Sequence, residues 1–399
     1  MIVDFFHHFG LVFKKSLRKL FPIALLFSWL QLIQNLFLSP YSFIAITTNA
    51  KIFSNKWFLW FSDQLAELSK MVLIMLAATF LYYFVAGYTS EKKEKNNFLP
   101  MFTFFLTWLI YSSSYHIDNA FPIEPTWLFL GFLGVGLHFL GQKIKKQHRT
   151  VTLIFFVMVT FLAISTGKFL MAKMTFGMDF LEEAISSSLI GKGPTSFSSV
   201  FLWSAVGIFF RMTGLTVPFI FQNQAIDLTV TNDNLQAALT GHLNSIPHFH
   251  TLYTLRDSFA MFGGLGMILP MLFAIILYAR KHKNKELLKL GYLTFIPIIV
   301  DQPIALILGL PIILEPILLI PMVIVTIGAE AIGALLLTLK WINPAVYAVP
   351  YGTPSLIFGF LASNGDWRYF FAVSIILVLS TLVYFPFLDP IFNKETQGE

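Results

Sequence analysis

Apolar runs broken by short polar stretches set the rhythm of this chain. From Phe5 to Leu20 the residues Phe5, Phe9, Val12, Phe13, Leu17 and Leu20 share one helical face, opposite lysines and an arginine. That spacing predicts an amphipathic helix at the cytoplasmic interface, feeding a first span near Phe21–Leu38. The plainer alternative is an ordinary polar lead-in to that span. Further apolar runs lie near Met71–Tyr88, Phe98–Ser114, Trp127–Gly141 and Val151–Met171. Each is long enough to cross about 30 Å of hydrocarbon as a helix.

The middle of the chain changes character. Met174, Met178, Leu181, Ile185 and Leu189 recur at helical spacing, with Lys173, Asp179, Glu182 and Glu183 on the other side. This stretch is too polar to span and predicts a helix lying in an interface, joining two halves. A span near Phe197–Phe221, a polar segment Gln222–Arg256 and a span near Phe259–Tyr278 follow. The last third holds a proline-broken stretch Pro297–Pro316, a span near Ile317–Lys340 containing Glu330, a second break Pro344–Pro354 and a final span near Tyr369–Leu388. Proline interrupts helices because it lacks an N–H and clashes with the preceding turn.

Charge orients these runs. Basic clusters at Lys14–Lys19, Lys92–Lys95, Lys143–Arg149 and Arg280–Lys285 mark the cytoplasmic side by the positive-inside rule. An odd number of spans then separates the last two clusters, so either the Gln222–Arg256 segment dips into the membrane or another piece crosses; a re-entrant element there is the expectation. The composition agrees with a polytopic helical membrane protein: 56% of the 399 residues are hydrophobic and 12% charged, against about 25% charged in soluble domains. The formal net charge of +6 sits in short clusters between apolar runs, which argues against nucleic acid as a partner. With no cysteine there is no disulfide, thiolate metal site or thiol nucleophile. Lys14, Lys15, Arg18 and Lys19 precede the first apolar run without a small-residue cleavage site, unlike a cleavable signal.

Several residues stand out against this background. Asp301 lies beside Gln302 and Pro303 inside a hydrophobic run, where an acid either serves a substrate or braces the broken helix. An ionised acid at mid-membrane costs roughly 2.5–3.5 kcal/mol on insertion scales, which favours the functional role. Glu330 lies in a continuous apolar helix and either bonds to a neighbouring helix or works in transport. Asp233-Asn234-Leu235-Gln236, followed by Gly241, reads as a short helix with Asp233 as N-cap, Gln236 as the returning side chain and Gly241 as stop. His242, His248 and His250 follow, without helical metal-ligand spacing or a carboxylate signature. A histidine that hydrogen-bonds a polar substrate fits them better than a metal site. Gly263, Gly264 and Gly266 admit either close backbone approach to a ligand or close helix packing. Lys340 reads as a snorkelling helix-end lysine, and Trp367 and Arg368 as interface anchors.

Taken in order, these elements carry a resemblance. Asn-x-x-Ala-x-x-x-Gly is followed by Pro-His, Asp-Ser-Phe, Gly-Gly-x-Gly and a basic loop. Then come a carboxylate/amide-Pro pair, Gly-Leu-Pro-Ile-x-Leu-x-Pro-Ile-Leu-Leu-Ile-Pro, Val-Pro-x-x-Thr-Pro, Gly-Phe-Leu-Ala-x-x-Gly-Asp-Trp-Arg and Tyr-x-Pro-Phe. The series, densest from Asn234 to Phe387, resembles the membrane subunit (enzyme IIC) of the lactose/cellobiose class of the bacterial sugar phosphotransferase system. The resemblance implies an all-α protein of about ten transmembrane helices with re-entrant hairpins and interfacial amphipathic helices. It implies a homodimer in the bacterial cytoplasmic membrane, with the N-terminus cytoplasmic. Residues 1–172 would form an oligomerising half, 173–195 an interfacial connector and 196–399 the sugar-binding half. Such a permease imports a disaccharide that a phosphocysteine on a IIB subunit phosphorylates, IIB being recharged by IIA. Lacking cysteine, this chain would need IIB as a separate polypeptide, and no cofactor or metal is expected.

Carried over by motif, His248 is the sugar-contacting histidine, and Gly264 in the glycine loop and Tyr351 and Thr353 in the second break are further sugar-binding candidates, with Asp301 and Gln302. Tyr351 stands where the family usually has a tryptophan that stacks on sugar. Asp301 and Gln302 occupy the family's Asn-Glu motif before proline, whose glutamate accepts a sugar hydroxyl and helps deprotonate it. Gln302 cannot act as a base, so Asp301 and Glu315 are candidates for the missing carboxylate. A diverged paralogue without coupled phosphorylation, and a membrane-embedded transferase or hydrolase using the histidines, are the competing expectations.

Overall fold

The computed structural model describes residues 2–91, 98–113, 125–144, 157–161, 165 and 193–396, apart from 216, 223 and 227. Among them the regular structure is helical, with no strand. Four segments, Phe21–Thr48, Lys56–Thr89, Pro316–Thr338 and Arg368–Phe392, are long and apolar enough to cross a membrane. Most of the expected connector at 173–195 and most of the expected span Val151–Met171 lie outside the described residues, as do the basic clusters Lys92–Lys95 and, in large part, Lys143–Arg149.

The chain opens with α1 (Ile2–Lys19), whose predicted apolar face is buried at Phe9, Val12, Phe13, Leu17 and Leu20. That face packs on protein. Phe13 meets Phe80 edge-on at 5.3 Å, and Phe9 stacks on Phe132 at 5.0 Å. Those partners sit on α4 (Lys56–Glu91) and α6 (Trp127–Ile144), with α5 (Phe98–Ser113) packed beside α4. Between them, α2 (Phe21–Ile33) carries proline in its first turn and passes through a π-helical turn, Gln34–Leu38, to α3 (Phe43–Thr48).

Three expected boundaries are corrected. The span expected at Met71–Tyr88 begins much earlier, at Lys56, because neither glycine nor proline interrupts the chain between Lys56 and Gly87. Its polar start stays helical with Ser62 and Ser69 buried and Lys70 within 3.5 Å of Glu67. The span expected at Phe197–Phe221 stops as α7 (Phe197–Thr213), where Gly214 turns left-handed at φ 70° and its N–H reaches Arg211 O. The span expected at Phe259–Tyr278 is two pieces. A π-helical turn, Leu252–Asp257, runs into a glycine loop, and α10 (Ile268–Lys281) starts only after it. In that loop Gly263, Gly264, Gly266 and Met267 all have positive φ, which interrupts any helix that hydropathy would draw through them.

Between α7 and the π-helical turn come α8 (Phe219–Gln222) and α9 (Thr229–Leu239). Here the expected cap is corrected: Leu228 is the N-cap, and Asp233 and Gln236 lie inside the helix. Beyond α10, α11 (Lys285–Ile299) starts on an Asn284 cap and ends just past Pro297. A short α12 (Ile304–Gly309) and a turn lead to α13 (Pro316–Thr338). The second break runs without regular structure into α14 (Ser355–Ala362), and α15 (Arg368–Thr396) closes the chain. Helix α13 packs on α7 and α15, while α12 packs on α2 and α1, so one apolar core takes in helices from both ends of the chain.

Candidate functional site

The site is assembled around the end of α11. Pro297 has no N–H to donate, and the helix closes when Gln302 N and Val300 N both donate to Pro297 O. This closure leaves Asp301 left-handed at φ 57°. Its side chain thereby leaves the helix and reaches two distant segments. Oδ1 accepts from Gly263 N at 2.9 Å and from Ser355 Oγ at 2.7 Å, and Oδ2 accepts from Ser355 N at 2.7 Å. One carboxyl group therefore ties the end of α11, the glycine loop and the start of α14 together.

The other sequence candidates fall around this clip unevenly. Gln302 is partly buried, and its Nε2 makes only a long 3.4 Å bond to Val300 O. Gly264 has φ 92°, and a Cβ added there would lie 3.3 Å from the Pro303 ring and 3.8 Å from an Arg211 guanidinium nitrogen. Thr353 spends its hydroxyl proton on Pro350 O at 2.7 Å. Tyr351 is partly buried in the second break, and burial raises its phenol above the ordinary value. Glu315 is turned away towards α1, where Lys14 Nζ lies 2.5 Å from its carboxylate.

His248 is held by its backbone. The Asn234 amide donates to His248 O at 2.6 Å and accepts from His248 N at 2.9 Å. Its ring Nε2 lies 3.5 Å from Asp233. Ile246 packs with Val346, and Phe249 and Tyr347 pack against the same small cluster, which sets this segment beside the second break. His250 is pushed below its ordinary value by burial. No group of three or more histidine, cysteine or acidic residues among the described residues is placed to hold a metal.

Much of the scaffold was not singled out in the sequence. Three buried tyrosines brace irregular segments through their hydroxyls: Tyr253 to Tyr347 O at 2.7 Å, Tyr369 to Asn343 O at 2.9 Å and Tyr384 to Gly266 O at 2.6 Å. Arg256 is fully buried and binds Asp257 through Nε at 2.7 Å and a terminal nitrogen at 2.6 Å. An adjacent Arg-Asp pair within Leu252–Phe259 was the available signal. Ser355, directly after Thr353-Pro354, had the position of a helix start but no sign of its partner.

No family model matches the chain. Among curated proteins it is 31% identical over 132 residues to the cellobiose-specific EIIC component of Lactococcus lactis subsp. lactis (strain IL1403), covering 33% of this chain and 26% of that protein. It is 29% identical to the galactose-specific EIIC component of Lactococcus lactis subsp. cremoris (strain MG1363), over 43% of this chain and 37% of that one. To the oligo-beta-mannoside-specific EIIC component of Bacillus subtilis (strain 168) it is 28% identical, over 61% and 54%. These matches span at most about half the length of the relatives. The crystal structure of ChbC, the IIC component from the N,N'-diacetylchitobiose-specific phosphotransferase system, aligns over 98% of this chain and 96% of that one. Its identity is 19% and its TM-score 0.44, too low for the likeness to carry weight. The sequence matches, together with the ordered motifs, make the chain a relative of the EIIC membrane components of the lactose/cellobiose class of the sugar phosphotransferase system.

Proposed function

We propose that this chain is a sugar permease of a phosphotransferase system, importing a disaccharide of the cellobiose/lactose type that a separate IIB protein phosphorylates. The observation that carries the reading is the Asp301 clip, which gathers the glycine loop, the proline break and the start of α14 at one point. Each of those segments belongs to the ordered motif series. Backbone polar groups freed by broken helices are tolerated at membrane depth where they line a cavity or face protein, as at transporter binding sites. In the proposed site His248 and Gln302 hydrogen-bond sugar hydroxyls, Gly264 offers backbone, and Tyr351 stacks on a ring. Asp301 and Thr353 shape the site, since their polar atoms are engaged with the frame. The finer architecture belongs to the same proposal: about ten spans with re-entrant hairpins, an N-terminal dimerising half, a C-terminal transport half and a cytoplasmic N-terminus.

A second reading keeps the fold without phosphotransfer. It is favoured by the absence of a glutamate at Gln302 and by the commitment of Glu315 to Lys14. Proteoliposomes loaded with IIB and pre-phosphorylated IIA separate the two. The permease reading expects sugar phosphate inside from external cellobiose or lactose. Free sugar inside supports the second reading, and no uptake of any β- or α-linked disaccharide sinks both.

A further inference from the structure

Away from the proposed sugar site, three elements meet around a buried acid. Glu330 of α13 is fully buried, and its Oε1 accepts from Ser204 Oγ of α7 at 2.5 Å. Its Oε2 is also buried and has no hydrogen-bond partner among the described residues. One turn earlier on the same face, the buried Thr326 hydroxyl is likewise without one. Glu330 lies about 21 Å along α13 from its first residue, at 1.5 Å per residue, well inside the hydrocarbon of a bilayer-spanning helix.

The charged neighbours decide what such a site binds. The π-helical turn presents Arg256 and Asp257 to Glu330. Arg256 already gives two nitrogens to Asp257 and a third to Ile220 O, at 2.9 Å. On α7, Arg211 follows Ser204 two turns later, beside Gly264. From α15, Tyr369 stacks on Phe259, whose ring touches Gly333 one turn past Glu330. The local cluster thus holds one guanidinium and two carboxyl groups, and the guanidinium is committed to Asp257. A second carboxylate left ionised in this apolar interior carries a desolvation penalty of several kcal/mol. A metal cation is disfavoured because hard cations take six or more oxygen ligands, and Glu330 Oε2 and the Thr326 hydroxyl are the two oxygens without partners at this point among the described residues.

We propose that Glu330 is a proton-binding site in the bilayer core, taking a proton from hydronium on Oε2 and returning it to water. Thr326 stands one turn away as a partner for the protonated carboxyl group, while Ser204 holds Oε1. The proposal does not depend on the permease reading, and it adds proton linkage to whatever solute the chain moves.

Infrared difference spectra of the full chain in nanodiscs, recorded between about pH 5 and pH 9, test it without any sugar. A protonated-carboxyl band that titrates in the wild type should disappear in Glu330→Gln and persist in Asp257→Asn. Glu330→Asp should keep a titrating band with a moved midpoint, which guards against a misfolded glutamine variant. A wild-type band that does not titrate, or one unchanged in Glu330→Gln, overturns the proposal. So does a midpoint that moves when sodium replaces choline in the buffer, because that result assigns the site to a metal cation.

Discussion

Asp301 shows how one side chain organises residues that lie far apart in sequence. Removing it in Asp301→Ala strands the Gly263 and Ser355 N–H groups. Leaving a buried donor unsatisfied costs about 1–3 kcal/mol. Thermal unfolding in detergent should show a clear loss, with sugar binding lost alongside it; unchanged unfolding would mean the clip is idle. Asp366, in the turn before α15, does similar work outside the spans. Burial acts against its ionisation, and hydrogen bonds from Arg368 and from Asn343 N–H outweigh that, holding its carboxyl below the ordinary carboxylate range. A lowered folded value stabilises the fold above the unfolded carboxyl pKa of about 3.9, and the benefit fades as pH falls through the folded value. The melting-temperature gap between wild type and Asp366→Asn should therefore be full near neutral pH and narrow in acid. At this scale the importance of Asp301 was legible, because an acid in an apolar run is costly. Its partners were not, since Gly263 and Ser355 carry no mark of proximity to it.

Helices were legible where their pattern was long and unbroken. The amphipathic stripe of α1 and the apolar lengths of α13 and α15 were plain in the sequence. The break between the π-helical turn and α10 was not, because its residues are apolar and only backbone φ at three glycines and Met267 interrupts them. Capping misled in α9 for a related reason: Asp233 has the chemistry of a cap, yet the chain is already helical from Thr229. Packing is tight where Gly333 of α13 faces Phe259, since an added Cβ would fall 2.4 Å from the ring. Overpacking of this kind costs about 1–3 kcal/mol. Gly333→Ala should lower the melting temperature, and Phe259→Leu in the same chain should recover part of the loss. Additive losses would show that the two residues do not press on each other.

Across the whole molecule, the two breaks are anchored differently. The first is fastened to the N-terminal helices: Lys14 meets Glu315, Ser28 Oγ accepts from Ala305 N at 3.3 Å, and Phe21 lies under Gly309. A double-mutant cycle on Lys14→Met and Glu315→Gln should give a coupling of about 0.5–3 kcal/mol in unfolding; zero coupling would make the pair incidental. The second break depends on Tyr253, Tyr369 and the Asp366 turn, and approaches Asn35 only through the bare backbone of Gly352. Between the two stands the carboxyl group of Asp301. In the proposed transport cycle, moving one break past the other would swap a handful of polar bonds, while the aromatic wedge of α1, α4 and α6 stays closed. In the proposed permease such a joint is a ratchet tooth, and an arriving sugar hydroxyl is the group that would compete with Gly263 and Ser355 for the Asp301 carboxyl. With no native thiol to remove, cysteine pairs placed across it would report each click directly.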